Sequence, residues 1–358
     1  MSTAPGLSEL RGPTPARVQI LLLNWNGWRD TIECLRNVYE LAYPNFGVVI
    51  CDNGSGDGSL ARIREWAEDP LRQSRVGTIE EIDRPGAEAG GSAADLVLIQ
   101  TGDNLGFAGG NNVGLRYILR RDDCEYIWLL NNDTVVAPDA LEALVLHAEK
   151  NPQLGAVGGT LIMQQPDVVQ DAGGISSTWH GMSRAIGAGQ RAADLPSEPH
   201  RLDYISGGCM LVRVAAVRQV GLLDERFFMY SEDADWGLRL RQAGFRLAVS
   251  LQARVWHKGG GSVHYHTPRH DYYVTKSALL FMQKHHPARF PIAFIYSLYR
   301  CLLPKIVRLQ GRRLVAVLRA YRDVFAQMRP GSGAPPPLFT SDARGPSDAP
   351  QDAASVRR

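Results

Sequence analysis

The chain has 358 residues, and a typical domain holds about 100–200 residues. The length is therefore compatible with one large domain or two smaller ones. Its 44% hydrophobic and 21% charged residues exclude collagen-like, coiled-coil and wholly disordered proteins. Lys and Arg total 39 against 37 Asp and Glu, so the charge gives no sign of nucleic-acid binding. Five scattered cysteines fit neither a disulfide framework nor a zinc pattern, which favours a reducing compartment.

Short apolar runs alternate with helical patterns through the first half of the chain. Buried strands are predicted at residues 18–23, 47–51, 96–99 and 126–130. Helices are predicted at residues 28–41, 59–67, 107–120 and 138–150. This alternation predicts an α/β fold with a mainly parallel central sheet flanked by helices.

The second half is less regular. Polar, Gly-rich stretches at 72–95 and 171–203 are predicted to be long loops. A strand at 208–212, helices at 214–220 and 232–243, and a strand at 245–251 follow. The Pro- and Gly-containing residues 1–17 are predicted to be a flexible N-terminus without a signal peptide. Residues 329–358, rich in Pro, Gly, Ser, Ala and Asp, are predicted to be a disordered tail.

Positive charge is concentrated near the C-terminus. Residues 284–322 contain nine Lys or Arg and no Asp or Glu. Apolar residues at helical spacing within 314–328, beside several arginines, predict a basic amphipathic helix of the kind that binds membrane surfaces. Packing of this helix on the rest of the chain, or formation of a homodimer, is the alternative. No run of about 18 uncharged apolar residues occurs, so no membrane-spanning helix is predicted.

Each of the first four predicted strands is followed by residues rich in Asn, Asp and Gly. Ligands of an open parallel sheet bind beyond the carboxyl ends of its strands, so these residues predict one shared polar cleft. Ordinary turn chemistry is the alternative, because the same residues dominate turns. The chain has no G-x-G-x-x-G after the first strand and no P-loop motif, which argues against dinucleotide and P-loop nucleotide sites.

Several residues at these positions could carry chemistry. Asp133 suits a divalent cation that bridges a diphosphate, although a carboxylate there could also cap a helix. The glycine-rich turn 106–110 lies at a helix start, where backbone N–H groups favour an anion. Three carboxylates within 232–235 begin a helix, and Ser231 offers an ordinary capping explanation for them. His257 is either a metal ligand or a structural hydrogen-bonding residue.

Together these segments resemble family 2 glycosyltransferases of the GT-A fold, in particular the bacterial rhamnosyltransferase-like branch. The resemblance is carried by LNWN at 23–26, DNLGFAGGNN at 103–112, NNDT at 131–134, GGCMLVR at 207–213, EDAD at 232–235 and WH at 256–257. It implies a GT-A catalytic domain at 18–270, with a nucleotide-sugar half at 18–134 and an acceptor half at 135–270. A helical, basic amphipathic extension then occupies 271–328.

The resemblance also implies roles for individual residues. Asp233, with Glu232 beside it, resembles the catalytic base of an inverting displacement. Asp133 matches the last position of the family's metal motif, where Asn131 replaces the first aspartate, and His257 is implied to assist at this Mg²⁺ or Mn²⁺ site. The implied acceptor-side residues are Gly207, Gly208, Asp235 and Trp236. The implied donor-binding residues are Asn24, Asn26, Asp52, Asn53, Asn104, Gly106, Phe107, Gly109, Asn111 and Asn132.

The function implied is transfer of L-rhamnose from dTDP-rhamnose to a hydroxyl of a glycan or lipid-linked glycan in cell-surface polysaccharide synthesis. The implied location is the cytoplasm, at the cytoplasmic face of the inner membrane. A UDP-hexose-dependent transferase of the same family is the first alternative. A non-catalytic glycan- or membrane-binding homologue is the second.

Overall fold

The computed structural model describes residues 15–83, 94–164, 167–196, 201–258 and 266–328. The strands are β1 Val18–Asn24, β2 Phe46–Asp52, β3 Ile79–Ile82, β4 Leu96–Gln100, β5 Tyr126–Asn131, β6 Thr134–Val136, β7 Leu154–Met163, β8 Val169–Asp171, β9 Gly174–Ser176, β10 Ser183–Ala185, β11 Cys209–Arg213 and β12 Arg246–His257. The helices are α1 Trp28–Val38, α2 Ser59–Glu68, α3 Pro70–Val76, α4 Gly106–Arg121, α5 Ala140–Lys150, α6 Val214–Val220, α7 Glu232–Gln242, α8 Pro268–His285, α9 Phe290–Ser297, α10 Leu303–Val307 and α11 Gly311–Gln327. Short 3₁₀ turns at Ala192–Asp194 and Pro287–Arg289 and a π-helical turn at Leu298–Leu302 complete these elements.

One ten-stranded sheet forms the centre of the fold. Its strand order is β3-β4-β2-β1-β5-β11-β7-β12-β6, with β8 paired to β7. The five strands from β3 to β5 are parallel, β11 is antiparallel to both neighbours, and β12 is parallel to β7. The predicted α/β fold with a mainly parallel sheet is confirmed.

Both faces of the sheet are covered by helices. Along β1, Ile20 and Leu22 face the cluster built with α1, α2 and α5, whereas Leu21 faces the cluster built with α4, α6 and α7. All three side chains are buried, and burying each one contributes about 1.5–3 kcal/mol. This two-sided core holds the polar strand ends in fixed positions.

Some elements were not predicted. Strand β7 contains three glycines, which weaken a strand pattern, yet the structure needs all three for close packing, Gly155 against Phe245 among them. A Cβ at Gly158 would lie 2.7 Å from Ile205 Cγ2, and one at Gly159 would lie 2.7 Å from Cys209 Sγ. Helix α3 and strand β3 occupy part of the predicted loop 72–95, and β8, β9 and β10 occupy part of 171–203.

The C-terminal helices pack on one another. The predicted amphipathic helix exists as α11, but Val317, Tyr321 and Val324 are buried in a cluster with α8 and α9. Part of its apolar stripe therefore stabilises the fold, as in the packing alternative, and membrane binding by the rest of the stripe stays a prediction. The flexibility predicted for residues 1–14 and the disorder predicted for residues 329–358 lie outside the described residues.

One stretch departs from the prediction that nothing is long enough to span a membrane. Pro287–Val307 is long and apolar enough to cross a membrane by length and composition, and 22% of its most apolar 18 residues are buried. Core helices of water-soluble proteins share this length and composition.

Candidate active site

The polar strand ends open into a cleft of about 310 Å³. The structure brings many of the sequence-predicted site residues to its lining: Asn26, Asn53, Asn104, Gly106, Phe107, Asn132, Asp133, Gly207, Gly208, Glu232, Asp233 and His257. The others do not line it: Asn24, Asp52, Gly109, Asn111, Asp235 and Trp236. The cleft thus combines residues from both halves of the predicted catalytic domain.

Asp52 lies beneath the cleft at the end of β2. The sheet register places it between Asn24 and Gln100, and it is 1% exposed. Its Oδ1 accepts hydrogen bonds from Asn24 Nδ2 and Ser55 Oγ, both at 2.6 Å. Its Oδ2 accepts from Gln100 Nε2 at 2.9 Å and from Ser55 N at 3.2 Å. With these acceptor sites occupied, Asp52 organises the strand ends and does not itself face the cleft.

The turn after β4 forms one wall of the cleft. Asn104 Oδ1 accepts hydrogen bonds from Gly106 N at 2.9 Å and Asn53 Nδ2 at 3.1 Å. Gly106 has φ +74°, and a Cβ there would collide with the carbonyl oxygen of Phe228. The Phe107 N–H donates to that same oxygen at 2.7 Å. The turn is therefore fixed to the segment that leads into α7.

Gly109 and Asn111 lie farther along α4. Both are buried, and Asn111 Nδ2 donates to the Phe107 carbonyl oxygen at 2.9 Å. A Cβ at Gly109 would lie 2.8 Å from Leu105 Cβ. These residues shape the start of α4, in contrast to the expectation of direct donor contact.

Asp133 and His257 form a pair at the cleft wall. His257 Nε2 lies 2.9 Å from Asp133 Oδ1 and 3.1 Å from Asn131 Nδ2, and both paired side chains are largely buried. His257 Nδ1 lies 2.9 Å from Gln170 Oε1 on β8. An Nδ1–H donated to Gln170 leaves the Nε2 lone pair directed at the carboxylate, which is an arrangement that fits a cation between them.

The donor set at this pair is small. Within the described part of the chain, no group of three or more His, Cys, Asp or Glu residues could hold a metal ion. Mg²⁺ needs few protein ligands when phosphate oxygens supply the remainder. Asp133 and His257 therefore fit a cation shared with a diphosphate better than a closed structural metal site.

The start of α7 is unusual. Tyr230 and Ser231 have φ values of +68° and +67°, although neither is glycine. Ser231 makes no side-chain capping hydrogen bond, so it does not cap the helix as predicted, although acidic residues still suit a helix's first turn. Strained backbone of this kind costs about 1–3 kcal/mol for each residue and clusters at functional sites. The bend directs Glu232 and Asp233 into the cleft.

Burial changes the acidity of these two carboxyl groups. Burial raises the pKa of Asp233 to about 6, even though N–H groups of Ala234 and Gly207 stabilise its charged form. Burial and then the neighbouring charge of Asp233 raise the pKa of Glu232 well above its ordinary value. Glu232 is 6% exposed, and its Oε2 has no hydrogen-bond partner among the residues that the structure describes. Burial and the charge of Asp233 also raise the pKa of Asp171 to about 7.

Asp235 and Trp236 point away from the cleft, and the expectation that they contact the acceptor is wrong. Both are 0% exposed. Trp236 Nε1 donates to the Gly221 carbonyl oxygen at 2.9 Å within the core. Asp235 Oδ2 accepts from Arg239 Nε at 2.8 Å, and its Oδ1 lies 2.6 Å from His285 Nε2. Successive helix positions differ by about 100°, so neighbours of Asp233 need not share its face.

The cleft lining also includes residues that were not predicted as site residues, among them Arg269, Gln170 and Trp25. Arg269, in the first turn of α8, brings a guanidinium among the acidic side chains, and it lies 4.8 Å from the Trp25 ring centroid. Gln170 orients His257. Trp25 could have been predicted, because it lies within the LNWN segment. Arg269 and Gln170 could not, because they are single polar residues with no pattern around them.

Comparisons with known proteins agree with this geometry. The family model described as "Glycosyltransferase like family 2" matches residues 15–267. A Mycobacterium tuberculosis protein, N-acetylglucosaminyl-diphospho-decaprenol L-rhamnosyltransferase, is 29% identical over 251 residues, covering 67% of this chain and 75% of the relative. The low-salt glycan biosynthesis hexosyltransferase Agl10 of Haloferax volcanii is 24% identical over 234 residues, covering 64% of this chain and 63% of the relative.

Solved structures show the same fold. A mannosyltransferase from Pyrobaculum calidifontis, in complex with GDP-Man and Mn²⁺, has a TM-score of 0.53 at 15% identity and covers 91% of this chain and 90% of its own. GalNAc-T7 with UDP, GalNAc and Mn²⁺ has a TM-score of 0.53 at 13% identity and covers 80% of this chain and 58% of its own. The GT-A fold implied by the sequence is confirmed.

Proposed function

The chain belongs to glycosyltransferase family 2, and on that basis we propose that it transfers L-rhamnose from dTDP-rhamnose to a hydroxyl of a lipid-linked glycan. The observation that carries this proposal is a buried carboxyl of raised pKa, Asp233, in the same cleft as the Asp133–His257 pair. A base and a cation site in one cleft are what displacement at a nucleotide sugar requires. The choice of rhamnose and of a lipid-linked acceptor is supported by the name of the mycobacterial relative.

Asp233 serves as the general base in this proposal. Its carboxylate accepts the proton of the acceptor hydroxyl while that oxygen attacks the anomeric carbon opposite the nucleoside diphosphate. One displacement inverts the anomeric configuration, and the proton ends on Asp233. A pKa of about 6 keeps the group ionised at neutral pH and basic enough to accept a proton.

Glu232 has a different task from its neighbour. Burial favours its protonated form, and a protonated carboxyl donates a hydrogen bond where a carboxylate can only accept one. Its Oε2 is buried and has no partner in the described part of the chain, and we propose that it meets a sugar hydroxyl once substrate fills the cleft that Glu232 lines. We assign Glu232 to orienting the substrate and Asp233 to moving the proton.

Asp133 and His257 are the residues that would hold Mg²⁺ or Mn²⁺. When bound there, the cation neutralises charge that builds on the leaving diphosphate. Gln170 keeps His257 in one orientation and tautomer. Arg269 adds a guanidinium to the same cleft, which also suits an anionic donor.

The remaining lining residues divide between the two substrates. For the donor, we propose contacts from Asn26, Asn53, Asn104, Gly106, Phe107 and Asn132. For the acceptor, we propose the turn at Gly207 and Gly208, whose Gly207 N–H also stabilises the ionised form of Asp233. The division into a donor half at 18–134 and an acceptor half at 135–270 follows the same assignment. Asn24 and Asp52 support the donor wall from beneath.

A donor screen tests the proposal. Purified full-length protein is incubated with dTDP-rhamnose, UDP-glucose, UDP-galactose or UDP-N-acetylglucosamine, together with a polyprenyl-diphosphate-linked N-acetylglucosamine. Each reaction contains Mg²⁺, Mn²⁺ or EDTA, and the Asp233→Asn variant serves as the inactive control. We expect cation-dependent transfer from dTDP-rhamnose with inversion at the anomeric carbon.

Two results would redirect or overturn the proposal. Transfer from a UDP-sugar alone would keep the mechanism and replace the donor, which is the reading suggested by the similarity to a hexosyltransferase. No donor binding or turnover by folded protein would favour a non-catalytic homologue.

A further inference from the structure

The C-terminal helices present an apolar surface to solvent. Along α9, the π-helical turn and α10, the outward positions recur every three or four residues, and each is between 45% and 69% exposed. These positions are Ile292, Ile295, Tyr299, Leu303 and Ile306. A helix on the surface of a water-soluble protein normally carries polar residues at such positions.

The inner side of the same stretch is also apolar. Phe294 of α9 packs against Tyr321 and Phe325 of α11, with both pairs of ring centroids 5.2 Å apart. Ala293 is fully buried next to it. The stretch is therefore hydrophobic on both sides, while the residues that the structure describes cover only one of them. A contiguous set of exposed apolar side chains of this kind is typical of an interaction surface.

Neighbouring residues extend this surface at both ends. Val307 and Leu309 are 72% and 90% exposed. At the other end, Trp179 is 54% exposed on the β9–β10 connection, and the Arg289 guanidinium lies 4.4 Å from its ring centroid. We call the set the apolar face: Trp179, Ile292, Ile295, Tyr299, Leu303, Ile306, Val307 and Leu309.

The border of the apolar face is positively charged. Arg300 and Arg308, next in the chain to Tyr299 and Leu309, are exposed, as are Arg312 and Arg319 of α11. Residues 284–322 contain no Asp or Glu, so every formal charge within that segment is positive. Apolar side chains surrounded by arginines, with Trp and Tyr among them, are complementary to an anionic lipid surface.

We propose that the apolar face docks on the surface of an anionic lipid bilayer, with its side chains in the headgroup region and the bordering arginines at the lipid phosphates. This surface is distinct from the α11 stripe suggested by the sequence, of which Val317, Tyr321 and Val324 are buried in the fold. The inference does not depend on which donor or acceptor the cleft uses. It would place the enzyme where a lipid-linked acceptor is found.

Vesicle co-sedimentation tests the proposal with the full-length protein. The vesicles contain phosphatidylcholine alone or phosphatidylcholine with phosphatidylglycerol. We expect binding to the anionic vesicles, weakened at least about tenfold by the double variant Ile295→Glu/Ile306→Glu, because two half-exposed isoleucines no longer enter the lipid. Replacing Arg300 and Arg308 by Gln should weaken binding by about fivefold per residue on anionic vesicles.

Leu71→Glu is the matched control, because Leu71 is 88% exposed on α3 and lies outside the apolar face. It should bind vesicles as the wild type does, and thermal unfolding should show all variants folded. The proposal would be overturned if the wild-type protein did not co-sediment with anionic vesicles, or if the Ile295→Glu/Ile306→Glu variant bound them as the wild type does. So would a wild-type dimer that this variant converts to monomer, or vesicle binding that resists alkaline carbonate, which indicates a spanning helix.

Discussion

Replacement of Asp233 by Asn separates proton transfer from every other property of the cleft. Asparagine has nearly the same shape but cannot accept the hydroxyl proton. We expect turnover to fall by about 10²–10⁴-fold, the usual contribution of a positioned base. That loss corresponds to about 2.7–5.4 kcal/mol in the activation free energy, at about 1.36 kcal/mol for each factor of ten.

The local contacts explain why the fold should survive this change. Asp233 Oδ1 accepts the Ala234 N–H at 2.7 Å, and the amide oxygen of Asn can accept the same bond. Donor affinity should therefore stay close to that of the wild type, and the melting temperature should not fall; above about pH 6 it should rise, because the raised pKa of the Asp233 carboxyl costs stability there. Asp103→Asn is the matched control, since Asp103 is exposed on the β4–α4 connection, and its turnover should not change.

The pH dependence of the wild type gives the second half of this test. The pH profile of kcat/KM reports the ionisation of the unliganded enzyme. With the pKa of Asp233 raised to about 6, the rate constant should fall as pH decreases through that value. Simple titration gives roughly tenfold less carboxylate at pH 5 than at pH 7. An acid limb near the ordinary Asp range, or an Asp233→Asn variant with more than about one-tenth of normal turnover, would refute the assignment.

Three further predictions follow from the same site. Gln170→Leu should raise the Mn²⁺ concentration for half-maximal activity by about 10–100-fold, with turnover restored at saturating Mn²⁺, because His257 loses its orienting partner. Glu232→Gln should raise the melting temperature above that of the wild type at alkaline pH but not at acidic pH, since a carboxyl whose folded pKa is raised costs stability as pH rises through it. Asp235→Asn should lower the free energy of unfolding, measured in urea, by about 3–5 kcal/mol, because it leaves Arg239 and His285 without their buried carboxylate.

A specific outcome would contradict each of these three predictions. Unchanged Mn²⁺ activation in Gln170→Leu would show that the His257 orientation does not depend on this contact. A Glu232→Gln variant that gains no stability at alkaline pH would show that Glu232 ionises without cost. An Asp235→Asn variant with wild-type stability but lost turnover would indicate that Asp235 takes a direct part in the reaction.

The sequence predicted the elements whose signals are local. Strands β1, β2, β4 and β5 are short branched-apolar runs, and their observed bounds differ by one residue or so from those predicted. Strand β7 was missed because Gly155, Gly158 and Gly159 break the apolar pattern. These glycines allow close contact with Phe245, Ile205 and Cys209, which are distant in sequence, so no local pattern could have revealed them.

The candidate site was likewise predictable only where the sequence signal is local. Polar residues directly after strands can be placed at one edge of a parallel sheet, so a shared cleft was predictable. The sequence could not show which of these residues face the cleft. Asp52, for example, is enclosed by hydrogen bonds from Asn24, Ser55 and Gln100. Gln170 meets His257 only through the pairing of β7 with β8 and β12.

Three carboxyl groups in the first turn of α7 show how surroundings assign different tasks to similar residues. Burial would raise the pKa of Asp235, but the hydrogen bond from His285 and the charge of Arg239 lower it below the ordinary value. Asp233 has backbone N–H partners that only partly offset burial, and Glu232 has an oxygen with no partner in the described residues. The ion-paired group anchors the helix, and the two with raised pKa values are left for chemistry.

That anchor also explains how the strained bend before α7 persists. The positive φ values of Tyr230 and Ser231 cost about 1–3 kcal/mol each, and contacts elsewhere must hold the helix in place. Asp235 provides them through Arg239, which also donates to the carbonyl oxygens of Val220 and Leu222 at 2.8 Å. Loosening this anchor should let the bend relax toward ordinary φ values and move the Asp233 carboxyl, the proposed base, out of the cleft. The Asp235→Asn variant should therefore lose turnover together with stability, while donor contacts made by the β4–α4 turn remain.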